Sequence, residues 1–238
     1  MSEAGEAIRA HLRAVEDRNA DTLAAVVERV YQTITDGGLI LTTGTGHSRA
    51  MVLETFYRAG GLACVKPISH PALDPLAGGA ASTRLERVTG LGRLLADEAG
   101  ATDADTAFVF SNSGTNPVPV ELAEALADDG ATVVAVSSRQ HMARAPLRAE
   151  KKLDQVAHYV LDTGTPYGDA FWPTPSGDIA PLSSITGAFL WNLILVGVSE
   201  LAEKHGTTLP VWASANVSGG EERNVELRER YRGRIPGL

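Results

Sequence analysis

Five short apolar runs, rich in β-branched and aromatic residues, alternate with longer stretches of helical period along the chain. The runs are 39–43, 63–68, 106–110, 132–136 and 158–161, and the helical stretches between them are 48–59, 82–99, 117–129 and, more weakly, 146–156. A parallel strand pair needs a crossover long enough to hold a helix, so this alternation predicts an α/β fold around a mainly parallel sheet. The runs lack a two-residue alternation, which fits strands covered on both faces.

The ends of the chain read differently. Ile8, Leu12 and Val15 share one helical face, and Leu23, Val26, Val27, Val30 and Ile34 share another. Asn19 to Asp21 reads as a break and cap between them, so a pair of helices is expected over 1–36, ended by Gly37-Gly38. The main domain is expected over 37–215 and a polar tail over 216–238. A last long helix is expected over 182–204, apolar around most of its circumference, which predicts a second copy of the chain as its cover. The Gly- and Pro-rich stretch 163–181 reads as a long loop.

Composition removes several classes of function. The 238 residues carry a net charge of −8, which argues against non-specific nucleic-acid binding. An anionic ligand remains compatible, because backbone N–H groups can hold a phosphate. One cysteine, Cys64, excludes an internal disulfide and a Cys-based zinc site, and its apolar neighbours predict a buried thiol. The first residues lack the basic and apolar regions of a signal peptide. The apolar run 185–198 is interrupted by Asn192 and is shorter than the roughly 18–20 residues of a membrane span. A soluble, cytoplasmic protein without membrane contact is expected.

Ligands of parallel α/β sheets bind where strands end, so the residues leaving each strand carry the chemistry. The first strand exits into Gly44-Thr45-Gly46-His47-Ser48. The third exits into Ser111-Asn112-Ser113-Gly114-Thr115-Asn116, with Pro117 placed to open a helix and Asn116 to cap it. The fourth exits into Ser137-Ser138. These hydroxyl-rich turns form a polar, uncharged cradle suited to a phosphate, and the helix after Pro117 aims its free N–H groups at the same place. A dinucleotide fingerprint is not met: its third glycine would fall at Arg49, and the second strand ends near Lys66-Pro67 without an acidic residue. Neither loop is followed by the lysine of a triphosphate-binding loop.

The two loops resemble the sugar isomerase (SIS) domain. Segments 44–61 (GTGHSRAMVLETFYRAGG), 111–122, 163–170 (TGTPYGDA) and 214–224 (SANVSGGEERN) look most like stand-alone SIS proteins of the phosphosugar-binding, phosphoheptose-isomerase-like kind. The resemblance implies a three-layer α/β/α sandwich with a five-stranded parallel sheet in the order 2-1-3-4-5. It also implies a phosphorylated sugar as ligand and homodimers or homotetramers with active sites at subunit interfaces. Phosphate would be held by Gly46, Ser48, Ser111, Asn112, Ser113, Thr115 and Asn116, with no metal and no organic cofactor.

Isomerisation of an open-chain sugar needs a base between C1 and C2 and an acid–base group at the oxygens. Glu54 and Arg58 are spaced like the Glu-x-x-x-Arg of phosphoheptose isomerases, where the glutamate is catalytic; an ordinary i,i+4 surface pair gives the same spacing. Glu86, at the second crossover helix, is the other candidate, since other SIS enzymes draw acids from helices near the site. Of six histidines, His11 and His205 read as surface residues and His158 as structural, whereas His47, His70 and His141 fall near strand exits. Phosphoheptose isomerases carry a histidine on the last long helix and 182–204 has none, so His47 is the expected replacement. The expected function is a sugar-phosphate isomerase. The alternatives are a non-catalytic phosphosugar sensor, or an amino-sugar phosphate deaminase or etherase on the same fold.

Overall fold

The structure, a computed structural model, describes residues 2–238. Helix α1 (Glu3–Thr35) precedes strand β1 (Ile40–Gly44), and a single 3₁₀ turn (Gly46–Ser48) leads into α2 (Arg49–Thr55). Strand β2 (Val65–Ile68) is followed by α3 (Pro75–Leu85) and α4 (Leu91–Ala99), and β3 (Thr106–Phe110) by α5 (Pro117–Asp128). Next come β4 (Thr132–Ser137), α6 (Arg139–Arg144), β5 (Tyr159–Asp162), and the short strands β6 (Ala170–Trp172) and β7 (Ile179–Pro181). Helices α7 (Ser183–His205) and α8 (Gly220–Tyr231) close the chain.

The five expected strands form one parallel sheet in the order β2-β1-β3-β4-β5. Register runs from Ile40 beside Val65 and Thr106 to Thr106 beside Thr132 and Val134 beside Tyr159. Every residue of β1 and β3 is buried, as both-face cover requires. Helices α1 and α2 pack on the sheet from one side, with α7 against both of them, and α4 and α5 cover it from the other. This is the three-layer arrangement. Its core joins Val26 and Val30 of α1, Phe108 and Val109 of β3, Leu122 and Leu126 of α5, Trp191 and Ile194 of α7, and Tyr231 of α8.

The expected N-terminal pair is one continuous helix of 33 residues. Asn19, read as part of a break, is a buried interior residue of α1. Its Nδ2 donates to Val15 O (2.7 Å) and Asp162 O (3.0 Å), and its Oδ1 accepts from Asp162 N (2.8 Å). A long-range partner at the end of β5 uses the polar groups that would otherwise compete with the helix. The stretch 82–99 is divided at Gly90, whose φ of 90° is left-handed. The weak helix over 146–156 is a single 3₁₀ turn at Leu153–Gln155, and the helix of that crossover, α6, precedes it. The expected loop 163–181 carries the β6–β7 hairpin.

Helix α7 is longer than the apolar run read from the sequence. Its most apolar window has a mean hydropathy of 1.6, so α7 is long and apolar enough to cross a membrane by length and composition, a test that a core helix also passes. Its inner face, with Leu190, Trp191, Ile194 and Val198, is core, while Ile185 and Val196 on the outer face are exposed.

Candidate functional site

The carboxyl ends of β1, β3 and β4 lie side by side with β5 beyond β4, and residues leaving β1, β3 and β5 meet the start of α7 around one cavity. At β1 the chain turns at once, because a Cβ on Gly44 would lie 2.7 Å from Ser48 O and only hydrogen fits. That turn places Ser48 beside Ser111 and Asn112 at the exit of β3. There Gly114, at φ 58°, makes the second turn, and a Cβ would lie 2.8 Å from Met142 Sδ.

Ser48, Ser111, Asn112, Thr163, Ser183 and Ser184 line one cavity of about 20 Å³, with Met51 and Phe110 in its apolar wall. No charged side chain lines it. Ser48, Ser111 and Asn112 are residues expected from the sequence. Thr163, Ser183 and Ser184 are not, although 163–170 belongs to the resembling segments; two serines opening the long helix after a Gly- and Pro-rich loop are the signal by which the other two could have been found.

Asn112 is held by its oxygen. Oδ1 accepts from Thr165 Oγ1 at 2.7 Å and Thr163 Oγ1 at 3.2 Å, and both threonines are buried. Its Nδ2 lies 3.4 Å from His141 Nδ1, which also receives Gly168 N at 3.4 Å. Both neighbours of Nδ1 are N–H donors, so Nδ1 is the acceptor and the proton of the neutral ring is on Nε2. Burial holds the His141 pKa below the usual imidazole value, against the opposing pull of the Asp169 carboxylate and the Pro166 carbonyl. Asp169, left-handed at φ 71°, ties this loop to α7: Oδ1 accepts from Ser183 N (2.8 Å) and Leu182 N (3.2 Å), and Oδ2 from Ser183 Oγ (2.5 Å).

The third hydroxyl turn is structural. Ser137 Oγ donates to Ser111 O (2.7 Å) and Ser138 Oγ to Thr165 O (2.7 Å), and both residues are wholly buried. Thr115 is wholly buried outside the cavity lining, with its hydroxyl unpaired, and Ser113 is half-buried beside it. Asn116 has the extended backbone of a cap, but its side chain does not bond the helix. Its Nδ2 donates instead to Glu86 Oε1 (2.9 Å), and its Oδ1 accepts from Arg148 (3.3 Å).

Glu86 stands between the two loops, since its Oε2 also accepts from Thr45 Oγ1 (2.9 Å), next to Gly46. Two of the carboxylate's acceptor positions are thereby used and the others remain. Glu54 is elsewhere: it pairs with Arg58 and faces Trp191, Asn192 and Leu195 across a separate small pocket farther along α7. His47 is exposed in its turn.

Three further histidines have structural partners. His158 Nδ1 accepts from Val133 N (3.0 Å), and His70 caps a short turn by accepting from Ala72 N (3.2 Å). His11 is not the surface residue expected. It is half-buried, with Nε2 3.0 Å from Thr186 Oγ1 on α7, and burial followed by the Arg18 charge lowers its pKa. Cys64 is buried as expected, and burial pushes its thiol up to about 12. Among the described residues, no three His, Cys, Asp or Glu side chains are grouped to hold a metal ion.

The fold and strand-exit loops define a class, and comparison with known proteins gives the same one. The model of the SIS domain matches residues 5–138. UPF0309 proteins match nearly end to end. That of Listeria innocua serovar 6a is 36% identical over 95% of this chain and 94% of its own length, and that of Brucella anthropi 34% identical over 96% and 95%. The chain therefore belongs to the SIS-domain family and, within it, with the UPF0309 proteins. Among solved structures, a phosphoheptose isomerase of Neisseria gonorrhoeae shares the fold, with a TM-score of 0.55 at 13% identity over 83% of this chain and 95% of that one. A phosphoheptose isomerase of Francisella tularensis aligns with a TM-score of 0.51 at 15% identity, over 84% of this chain and 100% of that one.

Proposed function

We propose that the protein binds a sugar phosphate with its phosphate in the cavity between Ser48, Ser111, Asn112 and Ser184, and interconverts its aldose and ketose forms. One observation carries the binding: six polar, uncharged side chains from four separated segments converge on one cavity at the strand ends. Such a cavity offers N–H and O–H donors without a carboxylate to repel an anion. The cavity has room for about one water, so a phosphate fills it only as the hydroxyl-bearing walls part. The solved relatives of the same fold are named as phosphoheptose isomerases, which supports the phosphosugar class.

Glu86 is the base in this reading. It abuts both loops and keeps free lone pairs, whereas Glu54 lies in another pocket. Glu86 takes the C2 proton, the hydroxyl proton on O2 passes to O1, and Glu86 returns its proton to C1. His47, exposed beside Ser48, is the candidate to serve the sugar oxygens. The isomerase works in the cytoplasm as a homo-oligomer with no metal or organic cofactor.

The test combines a panel of hexose, heptose and amino-sugar phosphates, screened by thermal shift, with deuterium exchange at C2. Glu86→Gln is expected to slow exchange by about 10²–10⁴ while binding persists, and Glu54→Gln to leave exchange intact. Loss of exchange only in Glu54→Gln reverses the two roles. Binding without exchange by the wild type favours the sensor reading; release of ammonia or a lactyl group favours the deaminase or etherase.

A further inference from the structure

An amide that must present N–H groups to an anion has to be kept from turning over. The two ends of a carboxamide are nearly the same size, and rotation by half a turn would point the oxygen lone pairs at the phosphate. The structure supplies the lock for Asn112. Two hydroxyls from the exit of β5, Thr163 and Thr165, both donate to Oδ1. Thr165 is wholly buried, makes the shorter bond at 2.7 Å, and does not line the cavity. Thr163 and Thr165 lie 3.3 Å apart at their hydroxyl oxygens, and the single proton of each is given to Asn112 Oδ1. On the other side, the bare acceptor Nδ1 of His141 faces Nδ2. Every polar contact of the side chain demands the same polarity.

We infer that Thr165 is a positioning residue for anion recognition: it fixes Asn112 with its N–H groups toward the ligand without touching the ligand itself. This rests on the phosphate reading of the cavity and assigns a role within it to the 163–170 segment. With the Thr165 hydroxyl gone, Oδ1 keeps only the longer Thr163 bond. A hydroxyl accepts as readily as it donates, so the polarity of the amide then rests on the long 3.4 Å contact with His141 Nδ1 alone. The flipped form sets an acceptor against the phosphate. Phosphate affinity then falls through the population of misoriented Asn112, while the chemistry at C1 and C2 is untouched.

The probes are inorganic phosphate and a hexose 6-phosphate, titrated calorimetrically into the wild type, Thr165→Val, Thr165→Ser and Asn112→Ala. Thr165→Val keeps the shape and removes the hydroxyl. It is expected to weaken phosphate binding about two- to tenfold, the loss when half to nine-tenths of Asn112 is misoriented. Thr165→Ser restores the hydroxyl and is expected to bind as the wild type does. In the Asn112→Ala background, Thr165→Val is expected to add no further loss, because its effect passes through Asn112. In turnover, the Thr165→Val defect is expected in KM and not in kcat.

If Thr165→Val does not fold, Thr165→Ser and Thr163→Val carry the test. Weak binding by Thr165→Ser means that the methyl packing matters and overturns the inference, and so does a loss in Thr163→Val larger than a change at the cavity wall explains while Thr165→Ser also binds weakly. Wild-type affinity in a folded Thr165→Val also overturns it, leaving the phosphate reading intact. Failure of the wild type to bind either probe overturns the phosphate reading itself.

Discussion

Replacing Asn112 by Asp separates folding from ligand binding more cleanly than any other change at the cavity. The carboxylate has the size of the amide, and both its atoms accept, so the bonds from Thr163 and Thr165 to this side chain persist. The long contact with His141 Nδ1, 3.4 Å in the wild type, is lost. The melting temperature is therefore expected to move by only a few degrees, about the size of a 1 kcal/mol change in a chain of this length. Binding responds differently. The substitution removes a donor and sets a negative charge in the wall of a cavity proposed to hold a phosphate. Two unit charges about 4 Å apart repel by about 4 kcal/mol at an effective dielectric near 20, which is about a thousandfold in affinity. Asn112→Ala, by contrast, loses one charge-assisted bond, roughly tenfold or more in affinity, and leaves two buried threonine hydroxyls to each other, at a cost of about 1–3 kcal/mol in stability. The assay is calorimetric titration of a sugar phosphate paired with a thermal melt. A folded Asn112→Asp protein that binds within twofold of wild type would falsify the placement of the phosphate.

Other consequences follow from the same geometry. Asn19→Ala leaves the N–H and C=O of Asp162 without their partners, and is expected to cost about 2–4 kcal/mol, read as a fall in the urea midpoint with unchanged slope. His11 and His141 both have lowered pKa values in the fold, so the unfolded chain binds more protons. Stability is expected to hold above about pH 6.5 and to fall as pH drops below it toward the folded values; urea melts across this range should show the slope, and His11→Gln should flatten it. Finally, the exposed Ile185 and Val196 of α7, Leu53 of α2 and Tyr57 just past its end predict self-association, so sedimentation at micromolar concentration should give a dimer or tetramer, and a monomer counts against it.

The parts of this molecule that were legible in the sequence are those governed by local pattern. Each parallel strand is a short apolar run because both faces are covered, and the exits of β1 and β3 are marked by the glycines their turns demand, Gly44 and Gly114. Ser48, Ser111 and Asn112 follow from reading those exits. What escaped is what depends on partners far away in the chain. Asn19 looks like a helix break until Asp162, 143 positions on, accepts and donates to it. His11 looks like a surface residue until Thr186 of α7 comes up beside it. Ser183 and Ser184 join the cavity only because α7 returns to the sheet beside the strand exits. Ser137 and Ser138 erred in the other direction: their hydroxyls suggested ligand binding, but the loops of β3 and β5 consume them. The relation between Glu54 and Glu86 was likewise not readable, since helical spacing from Ser48 gives a distance along α2 without a direction, whereas Glu86 meets both loops across the fold.

The most direct test is a crystal structure of the protein with a bound sugar phosphate that it turns over. The account predicts the phosphorus between Ser48, Ser111 and Ser184, with a phosphate oxygen accepting from Asn112 Nδ2, and the C1–C2 end of the sugar extending toward Glu86. A phosphate bound anywhere else on the chain, or a sugar carbon chain directed at Glu54 with Glu86 out of reach, contradicts it.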